Sequence, residues 1–374
     1  MSATILSTGV ALPEYVYPQE DVIRYVRDWL AHDPRKAAQA VSILSNAKVA
    51  RRYAVRPAQW YLEHTSVTVR CEVYREEMVR LSESAARQAL ELSGVKAEEI
   101  GLIVTTSCTG IMIPPVESYL MNRMPLPSTV RRMPLTELGC VAGATALGHA
   151  GEMLRANPAS AALVISAELA SLTGQLEDFS LANIVAAALF GDGAAATVIV
   201  GEAHPRANGR GASQPSAPAA PPTGNGAGAL HPTIVASRSV HFPDTLELMG
   251  FRNTDSGLKI FLSPRVPRFI RQELPRYLHP FLEEHGLRLA DLRHFLLHPG
   301  GRKVLEGLER ELGLTREETR LSWEVMRDYG NLSSATVLFL LHLFERSARP
   351  EPGDTGLLMA VGPGFAGELV LLRW

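Results

Sequence analysis

Hydrophobic positions in this chain fall in short unbroken runs rather than in strict alternation with polar ones. Leu102-Ile103-Val104-Thr105, Leu163-Val164-Ile165-Ser166 and Thr197-Val198-Ile199-Val200 are of this kind, as are Phe295-Leu296-Leu297, Leu357-Leu358-Met359-Ala360 and Leu369-Val370-Leu371-Leu372. Such runs predict strands covered on both faces, the setting of a parallel sheet packed between helices. Two longer stretches of small and apolar residues predict buried helices: Ala142-Gly143-Ala144-Thr145-Ala146-Leu147-Gly148 and Ser334-Ala335-Thr336-Val337-Leu338-Phe339-Leu340.

These elements repeat in one order. A helical run closing at Leu92-Ser93-Gly94 leads through Glu98-Glu99-Ile100 into a strand, and Leu282-Glu283-Glu284-His285-Gly286 leads through Ala290-Asp291-Leu292 into another. Gly94 and Gly286 are suited to end their helices in the left-handed conformation. Cys140 follows Ile100 by 40 positions and Asn331 follows Leu292 by 39, each ahead of a small-residue helix. A strand, a glycine turn (Gly191-Asp192-Gly193 or Gly362-Pro363-Gly364) and a last strand then close each set. The chain therefore reads as two duplicated α/β halves, residues 1–200 and 233–374. Residues 201–232 are so rich in Gly, Pro and Ala that they are expected to form a flexible insertion between the halves.

Composition narrows the function. With 374 residues, 46% of them hydrophobic, the chain has material for a large core. A net charge of −2 gives no electrostatic case for nucleic acid or an anionic membrane. No apolar run is long enough for a transmembrane helix and the N-terminus lacks a signal-peptide pattern, so a soluble cytoplasmic protein is expected. The 3 cysteines, Cys71, Cys108 and Cys140, have neither disulfide-framework nor zinc spacing; no metal is expected.

Three residues in distinctive settings carry the candidate chemistry. Cys140, in Leu138-Gly139-Cys140-Val141-Ala142-Gly143, stands at the start of a predicted helix, where N–H groups and the helix dipole favour thiolate. His298 ends an apolar strand before Pro299-Gly300-Gly301, and strand ends beside glycine loops are where ligands approach α/β sheets. Its imidazole suits an ion pair with thiolate or donation to an oxyanion. Asn331, in Gly330-Asn331-Leu332-Ser333-Ser334-Ala335, occupies the place in the second half that Cys140 has in the first, with a neutral N–H donor to aim at the same cavity. A thiol that accepts an acyl group, with two donors for an enolate oxygen, points to acyl transfer with carbon–carbon bond formation. Taken singly, Cys140 reads first as core packing and Asn331 as a helix cap.

The chain resembles the type III polyketide synthases, the chalcone and stilbene synthase-like branch of the thiolase fold. The resemblance is carried by Leu138-Gly139-Cys140-Val141-Ala142-Gly143, Ala188-Leu189-Phe190-Gly191-Asp192-Gly193-Ala194, His298-Pro299-Gly300-Gly301, Gly330-Asn331-Leu332-Ser333-Ser334-Ala335 and Gly362-Pro363-Gly364, with Ala50-Arg51-Arg52-Tyr53 extending it towards the N-terminus. It implies a five-layer α-β-α-β-α fold and a homodimer in which a residue near Met112 or Ile113 reaches the neighbouring cavity. Cys140 would carry the starter and growing chain, and His298 and Asn331 would support decarboxylation of malonyl-CoA. Phe190 would be a gatekeeper between CoA tunnel and cavity. Thr106, Ser107, Cys108, Thr173 and Ser333 would line the cavity; Lys48, Arg51, Arg52, Gly300 and Gly301 would hold CoA. The resemblance implies CoA thioesters used directly, with no cofactor.

The sequence departs from the family pattern in three places. Ala360-Val361 precede Gly362-Pro363-Gly364 where Gly-Phe is usual, Arg302-Lys303 follow His298-Pro299-Gly300-Gly301 where Pro-Ala is common, and Ala50 stands where Lys is frequent. The segments 105–110 and 244–251 are similar to bacterial members, among them alkylresorcinol, alkylpyrone and tetrahydroxynaphthalene synthases; the last have a second cysteine where Cys108 falls. An α-pyrone or resorcinol built on a fatty-acyl starter is the expected product. The competing readings are an initiating ketoacyl-[acyl-carrier-protein] synthase and a catalytically silent acyl-binding homologue.

Overall fold

Each of the six apolar runs forms a strand. The computed structural model describes residues 2–63, 66–207 and 230–374. Among them the strands are β1 (Ala3–Ala11), β2 (Tyr15–Pro18), β3 (Arg51–Ala54), β4 (Ile100–Ser107), β5 (Arg131–Thr136), β6 (Ala161–Leu169), β7 (Asp192–Gly201), β8 (Thr233–His241), β9 (Met249–Thr254), β10 (Gly257–Leu262), β11 (His294–Leu297), β12 (Thr355–Gly362) and β13 (Ala366–Arg373). Most of the expected 201–232 insertion, residues 208–229, lies outside the described residues.

Nine strands join in the order β11-β12-β13-β8-β1-β7-β6-β4-β5. The halves repeat one pattern outward from the middle. In the first, β1 pairs antiparallel with β7, β7 antiparallel with β6, and β6 parallel with β4. In the second, β8 pairs antiparallel with β13, β13 antiparallel with β12, and β12 parallel with β11. The halves meet where Ala3 pairs with Ile234 and Thr4 with Thr233. The expectation of parallel sheets is thus corrected to a mixed one. The physical reason is visible between β12 and β13: residues 363–365 suffice for a hairpin, whereas a parallel return needs a crossover of about a dozen residues or more.

Alternate strand residues separate the molecule into layers. On β6, Ala162 and Val164 face a central core, while Ala161, Leu163 and Ile165 face the helix Val67–Ser93. On β12, Leu358 and Ala360 face the central core, while Leu357, Met359 and Val361 face the helices Val266–Glu283 and Arg302–Leu312. The central core holds the two predicted small-residue helices, Ala142–Ala156 and Thr336–Ser347. The result is the α-β-α-β-α layering, with both faces of each half-sheet covered.

The glycine terminators act as expected. Gly94 has φ +65° and its N–H bonds Leu90 O at 2.9 Å; Gly286 follows the second long helix with φ +69°. At Gly143 the two central helices come backbone to backbone, for a Cβ there would lie 2.1 Å from Ser334 O. That contact brings the turn bearing Cys140 against the turn bearing Ser333. Among the described residues no helix is long and apolar enough to cross a membrane.

Candidate active site

Cys140 lies in the 3-10 turn Gly139–Val141, which runs into the helix Ala142–Ala156. Gly139 has φ +63°, and a Cβ on it would lie 2.4 Å from Pro363 Cδ. A Cβ on Gly362 would meet Val141 N at 2.8 Å and Leu138 O at 2.9 Å. The Gly362-Pro363-Gly364 turn therefore packs directly on the cysteine turn. His298 follows β11 and is pinned through its backbone N–H to Met359 O at 2.8 Å. Asn331 donates its backbone N–H to Leu189 O at 2.7 Å and accepts from Gly191 N–H at 3.1 Å, so it is clasped in a bridge with Phe190. Its Oδ1 accepts from Ser333 N–H at 2.8 Å, and its Nδ2 lies 3.5 Å from Gly300 O.

The sequence paired Asn331 with Cys140 as equivalent helix starts. The turn equivalent to Gly139–Val141 is Ser333–Ala335, which precedes the helix Thr336–Ser347, so Ser334 is the structural counterpart of Cys140 and Asn331 stands before the turn. Asn331 nonetheless reaches the same place. Cys140, His298 and Asn331 line one cavity of about 660 Å³ together with Phe190, Cys108, Ser333, Gly300 and Gly301. Among the described residues no carboxylate lines it, and the charged lining residues are Arg302 and Lys303. Met249, Phe251, Leu262 and Ile270 give it an apolar wall that the sequence did not indicate.

Burial governs the electrostatics. Cys140 is 5% exposed and its thiol is pushed up to about 12 by desolvation; a hydrogen bond with Ser333 Oγ at 3.5 Å opposes the shift and nearby Glu168 adds to it. The expected helix-start stabilisation of thiolate is outweighed. His298, 2% exposed, is pushed down to about 4 by desolvation. Desolvation thus acts on both groups in the direction of their neutral forms. Both ring nitrogens of His298 are buried without a hydrogen-bond partner in the protein. A neutral imidazole has one N–H to give, and Asn331 has an amide N–H; both belong to the wall of one cavity.

Behind the cysteines lies a network that sequence reading missed. Glu168, fully buried on β6, accepts from Cys108 N–H at 3.1 Å, Ser107 Oγ at 3.2 Å, Thr109 Oγ1 at 2.8 Å and Ser334 Oγ. Cys108 Sγ lies 3.6 Å from Glu168 Oε1 and 3.4 Å from Ser333 Oγ. The available signal was a lone carboxylate in the run Ala161–Leu169, every other residue of which is apolar or small. A charge so placed must be satisfied by several donors.

Several of the expected site residues lie outside the lining of this cavity. Thr106 turns to the hydroxyls of Ser166 (2.7 Å) and Ser334 (3.1 Å), and Ser107 takes a bond from Tyr74 OH at 2.7 Å; neither lines the cavity. Thr173 donates to Ala170 O at 2.8 Å and is likewise outside the lining. Arg52 is buried and gives its guanidinium to Ala187 O, Ala188 O and Gln19 Oε1, which leaves it structural. Arg51 pairs with Asp328 at 3.6 Å, Lys48 is exposed with φ +62°, and neither lines the cavity. Gly300 and Gly301 do line it, with φ of +60° and +145°. Among the described residues no group of three or more His, Cys, Asp or Glu is arranged to hold a metal ion.

Known proteins are similar to this chain over nearly all of its length. The family model of the N-terminal domain of chalcone and stilbene synthases matches residues 1–205, and that of their C-terminal domain matches residues 233–374. The chain is 36% identical over 371 residues to a 1,3,6,8-tetrahydroxynaphthalene synthase of Streptomyces peucetius, covering 99% of this chain and 93% of that one. It is 33% identical over 377 residues to a putative chalcone synthase of Bacillus subtilis, covering 100% and 99%. The crystal structure of 1,3,6,8-tetrahydroxynaphthalene synthase from Streptomyces coelicolor, a bacterial type III polyketide synthase, superposes with a TM-score of 0.88 at 29% identity over 99% of both chains. The chain belongs to the chalcone and stilbene synthase family, the type III polyketide synthases, which are condensing acyltransferases of thiolase-like fold.

Proposed function

We propose that this enzyme loads an acyl group from a CoA thioester onto Cys140 and extends it with malonyl-CoA. The Cys140 sulfur attacks the thioester carbonyl as its proton passes to the His298 imidazole, and the CoA thiol leaves with that proton. Malonyl-CoA then loses carbon dioxide, and the electron pair left behind forms an enolate whose oxygen is held by N–H groups of His298 and Asn331. The enolate carbon attacks the cysteine-bound carbonyl, and the Cys140 sulfur is the leaving group. The lengthened chain, now a CoA thioester, returns to Cys140 by the same exchange with loss of the CoA thiol for each further round, and cyclisation releases the polyketide.

The observation that carries this reading is the convergence of Cys140, His298 and Asn331, from three separate segments, on one cavity whose lining, among the described residues, holds no carboxylate. Each oxyanion donor of this kind contributes about 3–4 kcal/mol to such a step, and an adjacent negative charge would oppose it. A neutral His298 keeps one ring N–H to donate. CoA thioesters serve directly in this scheme, with no cofactor and no carrier protein. The aliphatic side of the wall, with Leu262 and Ile270, supports an alkyl starter and an α-pyrone or resorcinol product. A second reading, malonyl-CoA as sole substrate, is favoured by the likeness to tetrahydroxynaphthalene synthases.

Mass spectrometry of products from purified enzyme, with labelled malonyl-CoA alone and with acyl-CoA starters of graded length, tests both. Labelled pyrones or resorcinols bearing the starter are expected; a labelled product from malonyl-CoA alone selects the second reading. Cys140→Ala is expected to abolish condensation and Asn331→Ala to slow carbon dioxide release about 100-fold. Normal condensation by Cys140→Ala would overturn the assignment. Carbon dioxide release only with a carrier-bound malonyl group would select the carrier-dependent synthase, and none with either donor a silent acyl-binding protein.

A further inference from the structure

The charges at the cavity point to a phosphate grip different from the one the sequence suggested. Arg302 and Lys303, at the start of the helix Arg302–Leu312, are the charged residues of its lining. The helix Pro34–Asn46 and the residue after it contribute Ser42, Ile43, Asn46 and Ala47, none of them cationic. Lys48, Arg51 and Arg52 stay outside, and Arg52 is consumed by peptide carbonyls.

A third cation, Arg271, lies on the helix Val266–Glu283, which packs against the helix that carries these two. A Cβ on Gly307 would lie 3.2 Å from Arg271 Cδ and 3.3 Å from its Cγ, so the Arg271 stem crosses Gly307, one turn beyond Lys303 on the same helix. Among the described residues neither Lys303 nor Arg271 has a carboxylate within ion-pair distance, whereas Arg302 meets Glu306 at 3.4 Å. Arg271 also lies in a stretch between Asp255 and Glu273, residues 256–272, that contains Lys259, Arg265, Arg268 and Arg271 and no acidic residue; Lys259 pairs with Asp178 at 3.4 Å. In a chain of net charge −2 that is a local concentration of positive charge.

We infer that this enzyme grips the phosphates of its CoA thioester from the C-terminal half, through Lys303, Arg302 and Arg271, and not through the 48–52 segment. Gly300 and Gly301 adjoin these cations on the way to His298 and Cys140, so the phosphate end and the thioester end of one ligand are served by one continuous wall. Cations with no carboxylate of their own give up little to bind a dianion. The inference rests on the proposed use of CoA thioesters, and the chemistry it recognises is a phosphate ester.

Steady-state kinetics of the full chain with malonyl-CoA and with the malonyl thioester of N-acetylcysteamine, which keeps the reacting atoms and lacks the phosphates, test it. Lys303→Ala and Arg271→Ala are each expected to raise KM for malonyl-CoA about 5–10-fold and to leave kcat and the KM for the truncated ester unchanged. Lys48→Ala is expected to change neither. Lys303→Arg should restore the CoA ester's KM. Equal loss on both esters would mean a structural role and overturn the inference, as would an unchanged KM for malonyl-CoA in the double variant. If the wild-type enzyme turns over neither ester, the proposed function fails separately, and calorimetry with CoA itself decides the site: binding lost in the double variant upholds the grip, and equal binding overturns it.

Discussion

His298 shows how far burial can move a group away from its solution behaviour. Its imidazole has no protein partner for either nitrogen and sits below the range in which histidine normally titrates, near pH 4. In the unfolded chain it takes a proton near pH 6.5. As pH falls from about 6.5 to 4, the unfolded state therefore gains a proton that the folded site refuses, and stability drops; above that window the group contributes nothing, and below it the cost is constant. The full cost is about 3 kcal/mol, an order-of-magnitude figure from the shift. Asp192 and Glu345, buried carboxyls raised to about 7, act with the opposite sign and cost stability as pH rises from about 4 to 7. The difference between wild type and His298→Gln isolates the histidine. Urea unfolding at pH 4.5 and 7.5 is expected to show the variant gaining on wild type by about 2–3 kcal/mol as pH falls; parallel curves would mean that His298 is protonated or solvated in the folded enzyme.

At the scale of elements, the active site depends on how closely two helices begin. Gly143 allows the backbone at Ser334 to approach, and a methyl group there would overlap the Ser334 carbonyl. Gly143→Ala is expected to cost more than about 3 kcal/mol and to abolish activity, because the overlap is with backbone that cannot rotate away. Gly151→Ala, on the same helix, would place its methyl 3.2 Å from Ile234 Cγ2, a contact that side-chain adjustment relieves. Its effect should stay within about 1 kcal/mol, since helix propensity favours Ala over Gly. Chemical denaturation of the two variants checks the contrast; equal stabilities would mean that the helix starts are not in contact. Elements of this kind were legible in the sequence: the six apolar runs, the small-residue helices, and the terminators Gly94 and Gly286. Strand sense was not, because a buried run looks alike in either direction; only the short Gly362-Pro363-Gly364 turn betrayed one hairpin. Cys140, His298 and Asn331 stood out through their glycine-rich settings. Thr106 and Ser107 could not be assigned a face, since that depends on which side of β4 the central helices pack. Arg52 looked like a surface cation because nothing local reveals that Ala187, Ala188 and Gln19 enclose it.

For the whole molecule, the surface beside the site is where the expected homodimer can be tested. The segment linking β4 to the helix Val116–Arg123 starts at Cys108, in the cavity wall, and ends at its outer side with Ile111 58% and Ile113 90% exposed. Just beyond it, β5 forms the open edge of the nine-stranded sheet and leads through Leu138, also exposed, to Gly139 and Cys140. Apolar side chains left in water beside an open strand edge are costly for a monomer and mark a contact surface. A pair of chains meeting here would bury Ile113 close to both cysteine turns, which is the homodimer the family resemblance led us to expect. Sedimentation at micromolar concentration should give a species of twice the 40.7 kDa chain mass. Ile113→Asp would bury an unpaired carboxylate at the contact and should shift the protein to monomer while leaving each chain folded, because the side chain lies outside every core cluster. Activity should fall together with dimer content, since the displaced segment is continuous with Cys108 in the cavity wall. A monomeric Ile113→Asp protein that retains full activity would separate the site from the assembly, and a variant that stays dimeric would place the contact on another face.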